Sequence, residues 1–256
     1  MLIVISPAKT LEFENINKNL PMTKPRFLQD SNLIMDELKK FDSYSIAKLM
    51  KISNKLSLLN KDRFKTWEDT LENSKHCLLA FKGDVYRGLD VGSFTDEELF
   101  YANDNLRILS GLYGVLRPFD GINPYRLEMG SKLKVGENKN LYEFWENKLK
   151  KSVHEELRKH EESILINLAS KEYFKAVEAI EKEDDIKVIT PMFKELRNGE
   201  YKIISLKAKR ARGLMSRYII QNKINNPEEL KAFNEEDYEY NEELSSEKEW
   251  IFTRRY

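Results

Sequence analysis

Cysteine is nearly absent from this sequence, since Cys77 stands alone among 256 residues. A single cysteine excludes an intramolecular disulfide and, within one chain, the thiolate ligands of an iron–sulfur cluster. No apolar run approaches the roughly 18 residues that a membrane-spanning helix requires. The start, MLIVISPAKT, lacks the basic leader and cleavage site of a secretory signal. We therefore expect a cytoplasmic protein that does not associate with membranes.

Histidine is also scarce, and the positions of the three histidines exclude a common iron site. A di-iron helical bundle needs a glutamate three residues before a histidine. The corresponding positions before His76, His154 and His160 hold asparagine, lysine and leucine. We predict no bound metal and no cofactor.

Net charge is absent as well, because 43 basic residues balance 43 acidic residues. The two signs are nevertheless separated along the chain. Residues 201–223 include seven basic side chains and no acidic one, whereas residues 227–249 include ten acidic side chains and two lysines. This acidic segment is predicted either to be a surface loop that covers nothing, or to fold near the basic segment and limit which anions reach it.

The basic segment is amphipathic when residues 208–220 are placed on a helix at about 100° per residue. One side is apolar, and Gly213 and Ser216 fall with basic side chains on the other. No acidic partner is available within the helix at i,i+4 spacing. We therefore predict that an external anion binds the helix, and phosphate suits the bidentate geometry of arginine. The cations concerned are Lys207, Lys209, Arg210, Arg212 and Arg217.

Short apolar runs alternate with helical patterns along the chain. The predicted strands are 2–6, 77–81, 107–110, 164–168, 186–189, 201–206 and 250–253. The predicted helices are 27–41, 45–50, 54–71, 95–103, 141–160, 171–180, 208–224 and 227–233. Strands that are apolar throughout are typical of a sheet covered on both faces. We predict an α+β fold, a mixed sheet wrapped by helices, in one compact domain spanning residues 1–256.

Residues 42–64, DSYSIAKLMKISNKLSLLNKDRF, predict two short helices joined by a tight turn at Lys51, Ile52 and Ser53. Ser43 and Ser53 are the predicted N-caps. A helix-hairpin-helix has this layout, and its turn amides and helix N-terminus hold a DNA phosphate. The usual turn has a glycine on each side of its apolar residue, where this chain has Lys51 and Ser53. An ordinary helical hairpin therefore remains an alternative.

Glycine is concentrated in two blocks, 81–89 and 109–130, each after a predicted strand. Neither block matches the dinucleotide-binding or P-loop pattern. Ionisable residues do occur at or just past predicted strand ends, where ligands bind in helix-covered sheets. A desolvated lysine there could act as nucleophile or base, and a carboxylate could transfer protons. The candidate catalytic residues are Lys9, Lys82, Asp84, Glu128 and Lys171. The alternative for each lysine is an exposed, solvated side chain.

Taken together, these blocks resemble the YaaA family of bacterial peroxide stress resistance proteins, nearly from end to end. The resemblance rests on ISPAKTL (5–11), LMKISNKL (49–56), FKGDVYRGL (81–89), LRILSGLYGVLRPFDGINPYRLEMG (106–130), INLASKEYFKAV (166–177) and KAKRARGLMSRYII (207–220). It implies a role in limiting peroxide damage and free iron, DNA binding, and a helix-hairpin-helix beside a positively charged cleft on an unusual fold. The glutamate-rich C-terminus departs from the matched pattern, so the resemblance implies no role for it.

Two functions are compatible with these observations. The first is a cytoplasmic peroxide-stress resistance protein that binds duplex or distorted DNA through a basic cleft and limits iron-driven damage. Its predicted DNA contacts are Lys51, Ser53, Lys55, Arg117, Arg126, Lys207, Lys209, Arg210, Arg212 and Arg217. The second is an enzyme that acts on a nucleobase or nucleotide at the strand ends. No obligate protein partner is predicted, and the sequence does not decide between catalyst and binder.

Overall fold

The computed structural model describes residues 1–14 and 20–255. The first third of the chain contains β1 (Leu2–Ile5), β2 (Thr10–Leu11), α1 (Leu28–Lys39), α2 (Ser43–Met50), α3 (Asn54–Thr66), β3 (Lys75–His76), α4 (Cys77–Ala80), β4 (Phe81–Lys82) and α5 (Asp84–Leu89). The middle contains α6 (Asp96–Asn105), β5 (Leu106–Ser110), β6 (Gly114–Leu116), β7 (Gly121–Ile122), α7 (Leu141–Leu157), β8 (Ile164–Leu168) and α8 (Lys171–Phe174). The last third contains β9 (Lys187–Arg197), β10 (Glu200–Lys202), α9 (Ser205–Gln221), β11 (Glu239–Tyr240) and β12 (Glu249–Arg254).

The central sheet of the described residues has eight strands, in the order β11-β12-β9-β8-β1-β5-β6, with β10 paired to β9. Strands β12, β9, β8, β1 and β5 run parallel, while β6, β10 and β11 are antiparallel to their neighbours. The mixed sheet and its surrounding helices confirm the predicted α+β fold. Parallel pairing also brings the carboxyl ends of β1, β5 and β8 to one edge of the sheet.

The middle of the sheet is buried on both faces. All four residues of β1 have no exposed surface, and every residue of β8 is buried. Helix α7 packs against β6, and its Glu156 forms an ion pair with Arg107 of β5. Helix α9 packs against β8 and β9. Full coverage explains why these strands are mostly apolar, without the alternation that a half-exposed strand would show.

Several helix starts follow from capping. Thr95 accepts a hydrogen bond from the backbone N–H of Glu98 at 3.2 Å, and the Glu98 carboxylate accepts from the Thr95 N–H at 2.7 Å. This capping box starts α6 at Asp96. Ser53 caps α3 as predicted, but α2 is capped by Asp42 and not by Ser43.

Some predicted elements differ from the structure in type or in extent. Residues 77–81 were predicted as a strand, but Cys77–Ala80 form a helical turn that is buried all round, and a run of this length is compatible with either structure. The predicted strand 201–206 ends at Lys202, because α9 already starts at Ser205. The helix predicted for 171–180 breaks after Phe174 and continues as the 3-10 turn Glu178–Lys182.

Among the described residues, no helix combines the length and the apolar character needed to cross a bilayer.

Candidate functional site

Helix α9 carries the basic sequence, and its apolar stripe is buried as predicted. Gly213 and Ser216, predicted on the exposed side, are buried too, so this part of the prediction is wrong. The reason is a second packing partner. Helix α5 crosses α9 so closely that Gly213 lies against the backbone of Val85. The backbone that approaches Gly213 therefore belongs to the protein itself.

Two arginines of α9 have partners within the protein. Arg210 Nε donates to Glu236 Oε1 of the acidic segment at 2.5 Å. Arg217 Nη1 lies 3.0 Å from Asp90 Oδ2 and 2.6 Å from Ser93 Oγ. The expectation that α9 is an uncompensated positive stripe is wrong at these two positions, because the partners come from distant segments. At Glu236, the acidic segment does fold against the basic helix.

Three cations of α9 have no carboxylate partner in the described part of the chain: Lys207, Lys209 and Arg212. Lys209 is exposed, whereas Lys207 and Arg212 are half-buried. Burial lowers the pKa of the Arg212 guanidinium from its ordinary value. These three side chains differ from Arg210 and Arg217 because no carboxylate of the described residues neutralises them.

Helices α2 and α3 form the predicted helical hairpin. Lys51 ends α2 in a left-handed conformation, with φ 52° and ψ 50°, and Ser53 caps α3 by accepting from the Leu56 N–H at 3.4 Å. Glycine favours the conformation of Lys51 because it has no Cβ. The turn thus has the backbone shape that glycine usually provides, although lysine occupies the position.

Four lysines of this hairpin differ from Arg210 and Arg217 of α9 in having no ion-pair partner among the described residues. Lys48, Lys51, Lys55 and Lys65 are exposed, and none has a carboxylate partner within residues 1–14 and 20–255. Helix α3 packs against α1 and α2, whereas α9 packs against α5, α6 and β9. The two basic segments therefore lie in different packing environments.

A second cluster lies where β1 and β8 end. Ser6 follows β1 and Ser170 follows β8, and the Ser170 N–H donates to Ser6 Oγ at 2.8 Å. The Tyr86 hydroxyl donates to the carbonyl oxygen of Ser6 at 3.1 Å. These bonds fix the loop that starts at Ser6 against α5 and α8. Lys171, the first residue of α8, is exposed beside this loop.

Glu128 joins two cations at this edge of the sheet. It forms an ion pair with Lys9, and Arg126 Nη2 lies 3.2 Å from Glu128 Oε1. Arg126 Nε is buried without a hydrogen-bond partner among the described residues. The side chain of Lys9 is 62% exposed, so it is not the desolvated lysine that nucleophilic catalysis would favour.

Lys82 and Asp84 lie on the other side of the same loop. Lys82 pairs in register with Thr10 and its Nζ is 3.4 Å from Glu12 Oε2, while Asp84 forms an ion pair with Arg87. A groove of about 630 Å³ is lined by Thr10, Lys82, Tyr86 and Arg87 among others. Lys9 and Glu128 line a separate, much smaller pocket. The structure places Lys82 in one cavity and Lys9 and Glu128 in another, while Asp84 lines neither of them.

Arg117 is separate from Arg126. Because β6 runs antiparallel to β5, the residue after Leu116 lies near the start of β5, at the opposite edge of the sheet from the strand ends. Arg117 Nη2 lies 3.4 Å from Asp120 Oδ1, and its backbone N–H donates to Asp120 Oδ2 at 2.8 Å. Arg117 and Arg126 were predicted together as DNA contacts, but Arg117 does not share a surface with Arg126 and the strand-end cluster.

His154, Glu183 and Asp185 place possible metal-ligand atoms within 4.8 Å of one another. The imidazole faces the two carboxylates through different nitrogens, since Nε2 is 3.1 Å from Asp185 Oδ2 and Nδ1 is 3.9 Å from Glu183 Oε2. One ion cannot bind both nitrogens of one ring. Lys150 and Arg158 also pair with these carboxylates. We interpret the cluster as an ion-pair network that docks the end of α7.

No sequence pattern identifies Asp90 or Glu236 as a partner of α9. Asp90 follows α5 by one residue, and Glu236 lies 26 residues after Arg210. Only the crossing of α5 over α9 and the return of the acidic segment bring these carboxylates to the arginines. The separation of basic and acidic residues along the chain is the sequence feature related to these ion pairs. It does not show where the acidic segment folds.

Comparison with known proteins places the chain in one family. The family model described as "Peroxide stress protein YaaA" matches residues 1–244. Among similar curated proteins, a "UPF0246 protein" of Clostridium botulinum (strain Alaska E43 / Type E3) is 58% identical, with 99% of both chains covered. A "UPF0246 protein" of Cellvibrio japonicus is 49% identical, with 99% of this chain and 98% of its own length covered. The chain therefore belongs to the peroxide stress protein YaaA family.

Proposed function

We propose that the protein acts in peroxide-stress resistance by binding DNA, and that the α2–α3 hairpin makes the primary contact. The observation that carries the proposal is the set of exposed lysines on this hairpin, Lys48, Lys51, Lys55 and Lys65, for which the described chain supplies no carboxylate partner. Lys48, Lys51 and Lys55 lie around the turn between α2 and α3, and a polyanion relieves the repulsion between neighbouring like charges. The dense phosphates of DNA suit such a cluster.

The geometry of the turn supports the same proposal. The first N–H groups of a helix have no partner within the helix, and they bind phosphate oxygens readily. In α3, Ser53 accepts from the N–H of Leu56, and the N–H groups of Asn54 and Lys55 have no hydrogen-bond partner among the described residues. Such contacts position a protein on the DNA backbone without reading its sequence.

Helix α9 supplies a second contact in this proposal. Lys207, Lys209 and Arg212 are free of internal carboxylate partners in the described ranges, and Tyr218 lies half-buried on the same helix. Binding through phosphate alone predicts little sequence preference, micromolar or weaker affinity, and strong dependence on salt.

Fluorescence anisotropy with labelled duplex, bubble and single-stranded DNA at two salt concentrations tests the proposal. The test variant is Lys51→Gly with Lys55→Ala, because glycine suits the left-handed turn and removes the charge without strain. Lys187→Ala with Lys248→Ala is the matched control, since both lysines line a groove rich in acidic residues elsewhere. We expect the test variant to lose about two units of the salt-dependence slope and the control to lose none. Absence of wild-type binding at low salt would remove the proposal.

A second candidate function is an enzyme acting on a nucleobase or nucleotide. It is favoured by the convergence of Lys9, Arg126 and Glu128 at the strand ends and by the buried Arg126 Nε that lacks a partner among the described residues. A substrate oxygen would satisfy this donor. If this candidate is correct, Lys9→Ala abolishes protection of cells from peroxide while the melting temperature stays unchanged. Full protection by the variant removes Lys9 from any catalytic role.

A further inference from the structure

Glu236 occupies an unusual place on the surface of α9. It lies in the 3-10 turn Glu235–Asp237, and both Glu236 and Asp237 have left-handed backbone conformations, with φ 52° and 62°. Non-glycine residues adopt this conformation only rarely, and two in succession need strong local interactions to hold them. The turn therefore directs the Glu236 side chain towards α9. The backbone strain of this turn has to be offset by the contacts that Glu236 makes.

Those contacts hold Glu236 from two sides. Its carbonyl oxygen accepts from Arg254 Nη1 at 3.0 Å, and Arg254 is buried and paired with Glu195. Its carboxylate Oε1 accepts from Arg210 Nε at 2.5 Å, while Oε2 is 3.5 Å from Arg254 Nη1. The backbone of Glu236 is thus anchored to the interior, and its carboxylate reaches out to the basic helix.

The ion pair between Glu236 and Arg210 is accessible to solvent. The Arg210 side chain is 42% exposed and the Glu236 side chain is 31% exposed. An ion pair with this exposure contributes little stability and is open to competition by other anions. Arg210 also belongs to the same helix as Lys207, Lys209 and Arg212, the three cations that the described chain leaves unpaired.

We propose that the Glu236 carboxylate occupies the position of a phosphate on Arg210, and that a bound polyanion displaces it. The partner surface is then the first half of α9, in which Arg210 becomes the fourth available cation once Glu236 leaves. Displacement replaces the Glu236 carboxylate on Arg210 by an oxyanion of the polyanion. Because the ion pair with Glu236 must first be broken, it lowers the affinity of the protein for any polyanion. Identification of the polyanion as DNA rests on the proposed function, but the competition at Arg210 does not.

Glu236→Gln tests this inference, with Glu235→Gln as the matched control. Both variants remove one negative charge from adjacent residues, but Glu235 is exposed and has no ion pair with α9 among the described contacts. Binding is measured by anisotropy for duplex DNA and, as a second polyanion, for fluorescent heparin. We expect Glu236→Gln to bind both about two- to fivefold more tightly than wild type and Glu235→Gln to differ from wild type by less than about twofold.

Arg210→Ala in the Glu236→Gln background shows whether the gain passes through Arg210. We expect the double variant to lose the gain, while urea unfolding confirms that each variant is folded. Equal effects of Glu235→Gln and Glu236→Gln would overturn the inference, as would an unchanged affinity of Glu236→Gln where the wild type binds DNA. A gain for heparin without DNA binding by any variant would support competition at Arg210 and remove the proposed DNA function.

Discussion

Gly88 of α5 and Gly213 of α9 mark the two contact points of one helix crossing. A Cβ atom on Gly213 would overlap the carbonyl oxygen of Val85, and one on Gly88 would overlap the carbonyl oxygen of Arg210. Because both obstacles are backbone atoms, neither can move aside by a change of rotamer. The pair sets how closely α5 approaches α9, and hence where Asp90, just after α5, meets Arg217.

Gly213→Ala and Gly88→Ala are therefore expected to destabilise the fold. Overpacking of this kind costs about 1–3 kcal/mol, and backbone obstacles favour the upper end. Gly92→Ala is the control, since a Cβ there meets nothing within 4 Å and would leave stability nearly unchanged. Urea unfolding followed by circular dichroism measures the differences. If Gly213→Ala unfolds at the wild-type urea concentration, the close crossing does not exist.

The same crossing shows what sequence periodicity could and could not predict. The stripe of α9 identified the side that packs on the sheet, because apolar residues recur at helical spacing. It misplaced Gly213 and Ser216, because glycine and serine give no apolar signal for a second packing partner. Strands β1 and β8 were predictable for the opposite reason, since burial on both faces makes all of their residues apolar except Asn167.

Charge partners were the least predictable part of the site. Helix α9 contains no acidic residue, and this is evident from the sequence. The ion pairs with Asp90 and Glu236, in contrast, depend on tertiary packing between distant segments. The α2–α3 hairpin was predicted with its turn at the right residues because the N-cap at Ser53 is a local signal, whereas the left-handed conformation of Lys51 has no such signal in a lysine. Local interactions leave a recognisable pattern in the sequence, whereas ion pairs between distant segments do not.

Cys77 is expected to take no part in the response to peroxide. The thiol is buried and donates to the carbonyl oxygen of Arg117 at 3.0 Å, and burial raises the pKa of the Cys77 thiol well above its ordinary value. The thiolate is the species that peroxide oxidises. Mass spectrometry of the native protein after treatment with hydrogen peroxide is expected to find Cys77 unmodified, while the urea-unfolded protein becomes oxidised. A sulfenic acid on the native chain, or lost protection by Cys77→Ala in cells, would contradict this expectation.

His76 is expected to make stability fall on mild acidification. Its ring is buried against Phe119, with centroids 6.0 Å apart, and burial lowers the pKa of His76 below 6.5. The unfolded chain therefore takes up a proton at a higher pH than the folded chain does. By linkage, His76 has no effect on the free energy of unfolding above about pH 6.5. Its contribution lowers this free energy as the pH falls from about 6.5 through the pKa of the folded state.

His76→Gln removes this contribution. Urea unfolding at pH 7.5 and pH 5.5 is expected to show a smaller loss of stability on acidification for the variant than for the wild type. The comparison uses the change with pH, so any constant cost of the substitution cancels. An identical pH dependence in both proteins would show that His76 does not titrate differently in the folded and unfolded states.

Glycine at position 51 is expected to stabilise the hairpin, whereas glycine three residues earlier is expected to weaken it. Lys51 has the left-handed conformation, which costs a non-glycine residue about 1 kcal/mol, so Lys51→Gly relieves strain. Lys48 lies inside α2, where glycine costs about 1 kcal/mol of helix propensity. The two variants lose the same charge. Whether each substitution raises or lowers the free energy of unfolding in urea therefore reports on the backbone conformation at that position. If both substitutions destabilise equally, the turn does not have the shape that positions Ser53 and the N-terminus of α3 for a phosphate. In that case the structural support for DNA binding at this hairpin is lost.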